Sequence, residues 1–365
     1  MSGIPESMRV GVYHGPDDIR VVEMPVPDIA DDEILVKTMA SGLCAGEAME
    51  WYSTKDGGKV LGHEPVGVVA RRGSDVESLE VGDRVFVNHH VGRMSSHWAV
   101  RGRYTVDPFY KANRLDPGAM AEYFRVSAGH LRADVHRLPD AIPDVVATTI
   151  EPWSCVLGGL KVCMIQPGDT VAVVGAGFMG QGFVHMAPLF GAGTVISVDY
   201  SRWRLDKAIE LGASFTIDAG SNDVADEIRS QNGGMLADVV VVTAPSIAAW
   251  TSARGFVERG GTLHLAAPGP PGSEFVLDGM DSYFSEVTVN SKYSADHRDT
   301  HQYIRLLRSG RVDPRPAITH ELPLGSLAEG FRLLTEADES LKIVILPEGA
   351  SPTAMTNAEE DRRAR

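Results

Sequence analysis

Apolar and polar positions alternate along residues 8–40, between breaks of Pro and Gly. A period of two puts alternate side chains on opposite faces, which suits half-buried strands. Ile34-Leu35-Val36 followed by Lys37 and Thr38 predicts one strand. Val66 to Ala70, Arg84 to Val87 and Tyr123 to Val126 predict three more, with Gly82-Asp83 as a turn before one of them. Short strands at this spacing point to a β-rich first part of the chain.

The pattern changes near residue 147. Thr170 to Val174 reads as a buried strand with a helix after it to about Phe190. Thr194 to Val198 repeats the theme, with a helix through Leu211; Phe215 to Ile217, Asp238 to Val242 and Thr262 to Leu265 predict further strands. Strands alternating with helices predict βαβ units and a parallel sheet covered on both faces. Beyond about residue 290 the alternation fades into helical patterns over 299–309 and 327–334 and a last strand from Lys342 to Leu346. The polar tail 349–365 is expected to be disordered.

Length and charge narrow the function classes. At 365 residues the chain exceeds a usual single domain, so two are expected. A net charge of −15 without a long basic block argues against nucleic acid and against an anionic membrane surface as partners. No apolar signal segment opens the sequence, and no run of eighteen apolar residues occurs. Cys44, Cys155 and Cys163 form no disulfide framework, in keeping with a reducing, cytoplasmic setting.

Two stretches carry chemistry. Gly175, Gly177 and Gly180, with Phe178 and Met179 between them, follow a buried strand and open a helix. This is the dinucleotide fingerprint: a tight turn, close approach of a pyrophosphate to main chain, and a helix N-terminus facing the phosphates. Asp199 ends the next strand, where a carboxylate accepts ribose hydroxyls and repels a 2′-phosphate, favouring NAD. Arg202 and Arg204 keep NADP open. The second stretch is scattered: Cys44, His63 and Glu151 are all zinc-ligand types, and three protein ligands with an open fourth position make a catalytic zinc site. Spacing alone does not join residues so distant.

The ordered set does. The Cys44 segment, Gly-His-Glu-Pro-Val-Gly at 62–67, Val-Gly-Asp-Arg-Val at 81–85, Gly-Ala-Met-Ala-Glu-Tyr at 118–123, Glu151-Pro152, Gly175 to Gly180, Gly310 to Asp313 and Ile318 to His320 resemble the zinc-type medium-chain dehydrogenase/reductase superfamily over residues 8–347, nearest its polyol and threonine dehydrogenase branches. The resemblance implies an α/β protein: a GroES-like β-barrel catalytic domain over 1–147, to which 291–348 returns, and a Rossmann NAD-binding domain over 148–290. It implies one catalytic zinc on Cys44, His63 and Glu151, with Glu64 beside or exchanging with that set and Glu47 orienting the ligand histidine. The zinc polarises a substrate oxygen, and the nicotinamide carries the hydride. A small-molecule substrate and a homodimer or homotetramer are also implied.

The sequence departs from this pattern twice. Gly46 stands where relatives commonly carry a relay hydroxyl, and Met49 where some carry a relay histidine, so Glu64, Tyr52 or water must pass the proton instead. The segment 88–117 holds no Cys, which excludes a structural Cys₄ zinc. His89, His90 and His97 there lack the partners of a metal site, and Trp98, Arg101 and Tyr104 are expected to pack the lobe. Trp51, Tyr52, Trp153 and Tyr293 are candidates for the substrate pocket. The favoured reading is oxidation of a secondary alcohol (a polyol, cyclitol, sugar derivative or hydroxy amino acid). Its rivals are a reductase of a conjugated C=C or C=N bond, which Gly46 motivates, and a nucleotide-binding protein without catalysis.

Overall fold

The computed structural model of the chain describes residues 3–49, 51, 58–221 and 223–347. The tail 349–365 and Tyr52 lie outside them. Strands β1 (Ser7–Gly15) and β2 (Asp18–Pro25) pair antiparallel, and β1 also takes β4 (Lys59–Val60). The larger early sheet is built on β3 (Ile34–Gly42) and β5 (Glu64–Arg72), followed outward by β6 (Arg84–Val87) and β8 (Val135–Arg137), while β7 (Tyr123–Val126) pairs with the start of β3. Their inward residues, Ile34, Val36, Val69, Val85, Val87 and Phe124 among them, close one apolar core.

The second sheet is all parallel, in the order β11-β10-β9-β12-β13-β14. In chain order these are β9 (Thr170–Val174), β10 (Thr194–Asp199), β11 (Phe215–Asp218), β12 (Ala237–Val242), β13 (Val257–Leu265) and β14 (Thr288–Ser291). Numbered from its own first strand, that order is 3-2-1-4-5-6, the doubly wound arrangement whose ligand crevice opens beyond the strand ends beside β9. Every residue of β9 is buried, as a central strand covered on both faces requires.

One helix packs between the two sheets, and the last two strands return to the first sheet. Helix α1 (Ile150–Val162) is buried on nearly all sides: Trp153, Val156, Leu157 and Leu160 share one core with Val171 and Val173 of β9. Near the C-terminus, β15 (Ile318–Pro323) pairs in parallel with β16 (Lys342–Leu346), and β16 lies antiparallel to the end of β3, Val344 opposite Gly42. The last strand thus reaches the segment that carries Cys44. Helix α5, defined here as His297–Arg308, packs against α1, with the Thr149 hydroxyl and Tyr303 OH 3.0 Å apart. The remaining helices used below are α2 (Phe178–Met186), α3 (Arg202–Glu210) and α4 (Gly279–Ser285).

The Cys-free lobe is knitted by aromatic and polar contacts. The main-chain N–H of Gly92 donates to Tyr104 OH at 2.8 Å, and Tyr104 OH donates to Gly92 O at 3.0 Å. Asp107 accepts from Arg93 and from the N–H of Phe109. Tyr110 OH donates to Ala295 O at 3.0 Å and lies 2.9 Å from Ser294 Oγ, which fastens the lobe to the chain just before α5. Of the three residues expected to pack it, Tyr104 is buried, whereas Trp98 and Arg101 are exposed. Trp98 rides on a single helical turn, 97–100, that buries no residue, and Arg101 caps its end.

Candidate active site

Cys44 follows β3 directly and caps a single 3₁₀ turn, Ala45–Ala48. His63 immediately precedes β5, and Glu64 is that strand's first residue. The antiparallel pairing of β3 with β5 sets Gly42 opposite Glu64, so the two chain ends meet. A Cβ on Gly42 would fall 1.9 Å from Glu64 Oε2, so only glycine leaves that carboxylate its place. One ligand-type atom from each of Cys44, His63 and Glu64 falls within 4.8 Å of the others.

The cluster is strongly polarised. His63 Nδ1 lies 2.8 Å from Glu47 Oε1, which also accepts the Gly62 N–H at 2.8 Å. With Nδ1–H given to Glu47, Nε2 is left for a metal. Burial works against a charged imidazole here, yet the Glu47 carboxylate and the neighbouring Cys44 push His63 well above its ordinary pKa. The pocket therefore favours positive charge at this point, the condition a divalent cation needs. Glu64 is fully buried, and both of its oxygens accept from Lys342 Nζ, at 2.8 and 2.7 Å. Lys342 donates as well to Leu43 O at 2.8 Å and lies 4.4 Å from the centre of the Phe178 ring, a cation–π contact.

Glu151, in the first turn of α1, stands outside the close triplet of Cys44, His63 and Glu64. Its Oε1 is 3.7 Å from His89 Nδ1 and accepts from Cys155 Sγ at 3.6 Å. Burial raises its pKa to about 7, with Glu64 adding to the rise against His63 and Lys342. Thiolate, imidazole and carboxylate around one space match the donor chemistry of zinc.

The dinucleotide turn is made of main chain. Gly175 has φ +100°, and its N–H donates to Val198 O of β10. A Cβ on Gly180 would lie 1.8 Å from Gly175 O, so the turn closes against α2 only with glycine there. Gly177 caps α2, and Phe178 and Met179 form its first turn. A Cβ on Gly177 would meet nothing nearer than the Arg204 guanidinium, at 4.0 Å, which leaves an open cradle for phosphates. Asp199 accepts the Ala176 N–H at 2.6 Å and the Ser201 N–H at 2.8 Å, bracing the turn it was expected to serve. Arg202 forms a surface pair with Asp206, whereas Arg204 Nε is buried without a partner beside the cradle.

Other sequence expectations move. Trp153 lines no substrate pocket: it is fully buried, stacked on Phe178 with ring centres 5.4 Å apart, and donates to Phe178 O. Trp51 and Tyr293 are partly exposed. His89 and His90, read above as lobe residues, instead turn inward; their ring centres are 4.0 Å apart, and His89 lies 4.7 Å from His63. Burial and the neighbouring His90 and His63 hold His89 neutral. His97 alone stays on the lobe surface. Sequence reasoning also missed Lys342, read only as a strand residue.

Comparison with known proteins agrees with this geometry. Residues 30–140 match the alcohol dehydrogenase GroES-like domain and residues 179–309 the zinc-binding dehydrogenase family. Sorbitol dehydrogenase of Bacillus subtilis (strain 168) is 32% identical over 366 residues, 94% of this chain and 98% of that one. The chain belongs to the zinc-type medium-chain dehydrogenase/reductase superfamily. Another member, sorbitol dehydrogenase of Gallus gallus, is 30% identical over 92% of this chain and 95% of its own. Among solved members, alcohol dehydrogenase TADH from Thermus sp. ATN1 superposes with a TM-score of 0.84 at 27% identity, covering 93% of this chain and all of that one. Membership makes this chain an oxidoreductase of the alcohol dehydrogenase kind and implies zinc and a nicotinamide dinucleotide. No helix among the described residues is long and apolar enough to cross a membrane.

Proposed function

We propose that the protein oxidises a secondary hydroxyl of a small polyol-like molecule to a ketone, with one zinc and NAD. The observation that carries this reading is the junction at Lys342: one ammonium group touches the Glu64 carboxylate, the Cys44 segment and the Phe178 ring at the mouth of the dinucleotide cradle. Metal-ligand chemistry and cofactor chemistry therefore share one site. The domains divide at about 147 and 290, as the sheet topology suggests, with residues 291–348 returning to the first.

Cys44, His63 and Glu151 would hold the zinc. Glu151 is preferred over Glu64 because Lys342 already occupies both Glu64 oxygens, while Glu151 bonds no lysine or arginine among the described residues. Glu47 orients His63 through Nδ1. Glu64 then acts as the counter-ion of Lys342 rather than as a proton carrier. Zinc at these residues supplies Lewis-acid polarisation of the substrate oxygen. The Gly175–Gly180 turn, with the N-terminus of α2, binds the pyrophosphate, and Asp199 accepts the ribose hydroxyls, which favours NAD. Sorbitol dehydrogenase relatives over nearly the whole chain support the polyol class.

A dimer is also proposed. Val276, Met280, Tyr283 and Phe284, on and beside α4, are exposed in the stretch of chain just before β14, the edge of the parallel sheet. An open edge with an apolar flank is suited to a second copy.

Following reduction of NAD and NADP across polyols, cyclitols and sugar derivatives tests the reading. Turnover of at least one alcohol with NAD preferred is expected. Turnover only of conjugated C=C or C=N substrates, run as a reduction, would replace it with the reductase reading that Gly46 keeps in view.

A further inference from the structure

The parallel sheet delivers a second stretch of chain to the end where the glycine turn lies. In register, Val174 stands beside Val242, Val242 beside Leu265, and Leu265 beside Ser291. Gly175 follows Val174, and residues 292–295 follow Ser291, so the two stretches leave the sheet at the same end. Asp199 lies on the opposite side of β9, at the end of β10. In a doubly wound sheet the two halves of a dinucleotide lie on either side of the point where strand order reverses. With Asp199 on the adenosine ribose, the nicotinamide half falls to the ends of β12, β13 and β14.

This second stretch holds a strained residue. Among the described residues other than glycine, Met164, Glu286, Ser294 and Ala337 have positive φ. Three of them end helices, where a left-handed residue is common. Met164 lies one residue past the cap of α1, Glu286 caps α4, and Ala337 caps the helix Leu327–Glu336. Ser294, at φ +55°, ends no helix; it lies between β14 and Asp296, the N-cap of α5. A serine in this region persists only where its surroundings hold it.

Tyr110 does the holding. It is fully buried, and its hydroxyl gives its one proton to Ala295 O at 3.0 Å and accepts from Ser294 Oγ at 2.9 Å. Bonds to two consecutive residues pin the chain on both sides of the Ser294–Ala295 peptide. The same ring meets the His90 ring at 5.5 Å between centres, and His90 lines the cleft beside His63. One side chain of the lobe therefore touches both a wall of the metal cleft and the exit of β14.

We propose that Tyr110 is a positioning residue for the nicotinamide half of the dinucleotide: its hydroxyl holds Ser294 in the left-handed conformation and so fixes the chain that walls this half of the crevice. The proposal rests on the dinucleotide reading above and adds to it a residue outside the glycine turn.

Tyr110→Phe keeps the buried ring and removes the hydroxyl. Calorimetric titration with NADH and with adenosine diphosphate ribose, which lacks the nicotinamide, separates positioning from general damage. In Tyr110→Phe the Kd of NADH should rise about five- to twentyfold, while that of adenosine diphosphate ribose stays within about twofold. Glycine adopts positive φ without support. The Tyr110→Phe/Ser294→Gly double variant should therefore bring NADH back to within about twofold of the unsubstituted chain. Equal losses for both ligands, a rise for NADH below about threefold, or a loss that the double variant keeps in full overturns the proposal. If the unsubstituted chain binds neither ligand, the dinucleotide reading fails and takes the proposal with it; binding unmoved by Tyr110→Phe removes the proposal alone.

Discussion

Around Gly175, Gly177 and Gly180 the binding surface is main chain, whereas around Cys44 and His63 it is side chains gathered from four distant parts of the sequence. The first region owes its shape to atoms that are missing: a Cβ at Gly180 would strike a carbonyl, and one at Gly177 would enter the phosphate cradle. The second owes its shape to charges that are present, Glu47 against His63 and Lys342 against Glu64. The glycine turn tolerates little change of shape, and the side-chain cluster tolerates little change of charge. Lys342, between Glu64 and Phe178, is where the two plans meet.

The largest expected effect breaks that meeting point. Lys342→Met leaves the Glu64 carboxylate buried without a partner and should cost about 3–5 kcal/mol in denaturant unfolding, with the Glu64→Leu/Lys342→Met double variant recovering most of it. A loss below about 1 kcal/mol would mean that water reaches the pair and that the cluster does not depend on charge.

Next comes acidity. Burial lowers the pKa of His130, which bonds Ser127 and the carbonyl of His89, from 6.5 to about 4. Above pH 6.5 the neutral ring costs nothing on folding. As pH falls from 6.5 toward 4, the unfolded chain takes up a proton that the folded one refuses, and stability drops by on the order of 3 kcal/mol. Unfolding measured at pH 7.5 and pH 4.5 should show this decline, and His130→Gln should flatten it. The glycine turn, whose binding surface is main chain, should keep its dinucleotide affinity over the upper part of that range.

Glu47→Gln separates the two regions more finely. Metal affinity, read by competition with a chelator, should fall about ten- to a hundredfold as His63 loses its orienting carboxylate, while dinucleotide binding stays within about twofold. Parallel losses in both would mean that the regions are not independent.

Gly46→Ser is the smallest change. A Cβ built there meets only Cys44 Sγ, at 3.5 Å, an ordinary contact. Packing does not require glycine, so the variant should fold normally and alter turnover by about twofold or less. A large gain would show that a relay hydroxyl is what the site lacks.

The same contrast explains what was legible in the sequence. The stretch from Thr170 to Met186 announces itself because strand, glycines and helix are contiguous, and Asp199 closes the next strand at a regular spacing. In the cluster, residue types singled out Cys44, His63 and Glu151, and family likeness joined them and supplied Glu47 and Glu64. Lys342 lies 278 residues after Glu64, and no local pattern marks a lysine in a final strand as buried. His89 and His90 were visible as residues, but the direction in which they leave β6 depends on tertiary packing. Helix α1 was missed because it is buried on almost every side and shows no polar face from which to count. Strand β14 was missed because it is a four-residue edge.

The central claim is that Cys44, His63 and Glu151 hold one zinc beside a dinucleotide cradle. The most direct measurement is zinc content together with X-ray absorption at the zinc edge of the metal-replete protein. One zinc per chain with a single sulfur neighbour is the predicted result, and Cys44→Ser should abolish it. Two tightly held zincs, none, or a zinc without a sulfur neighbour would contradict the account.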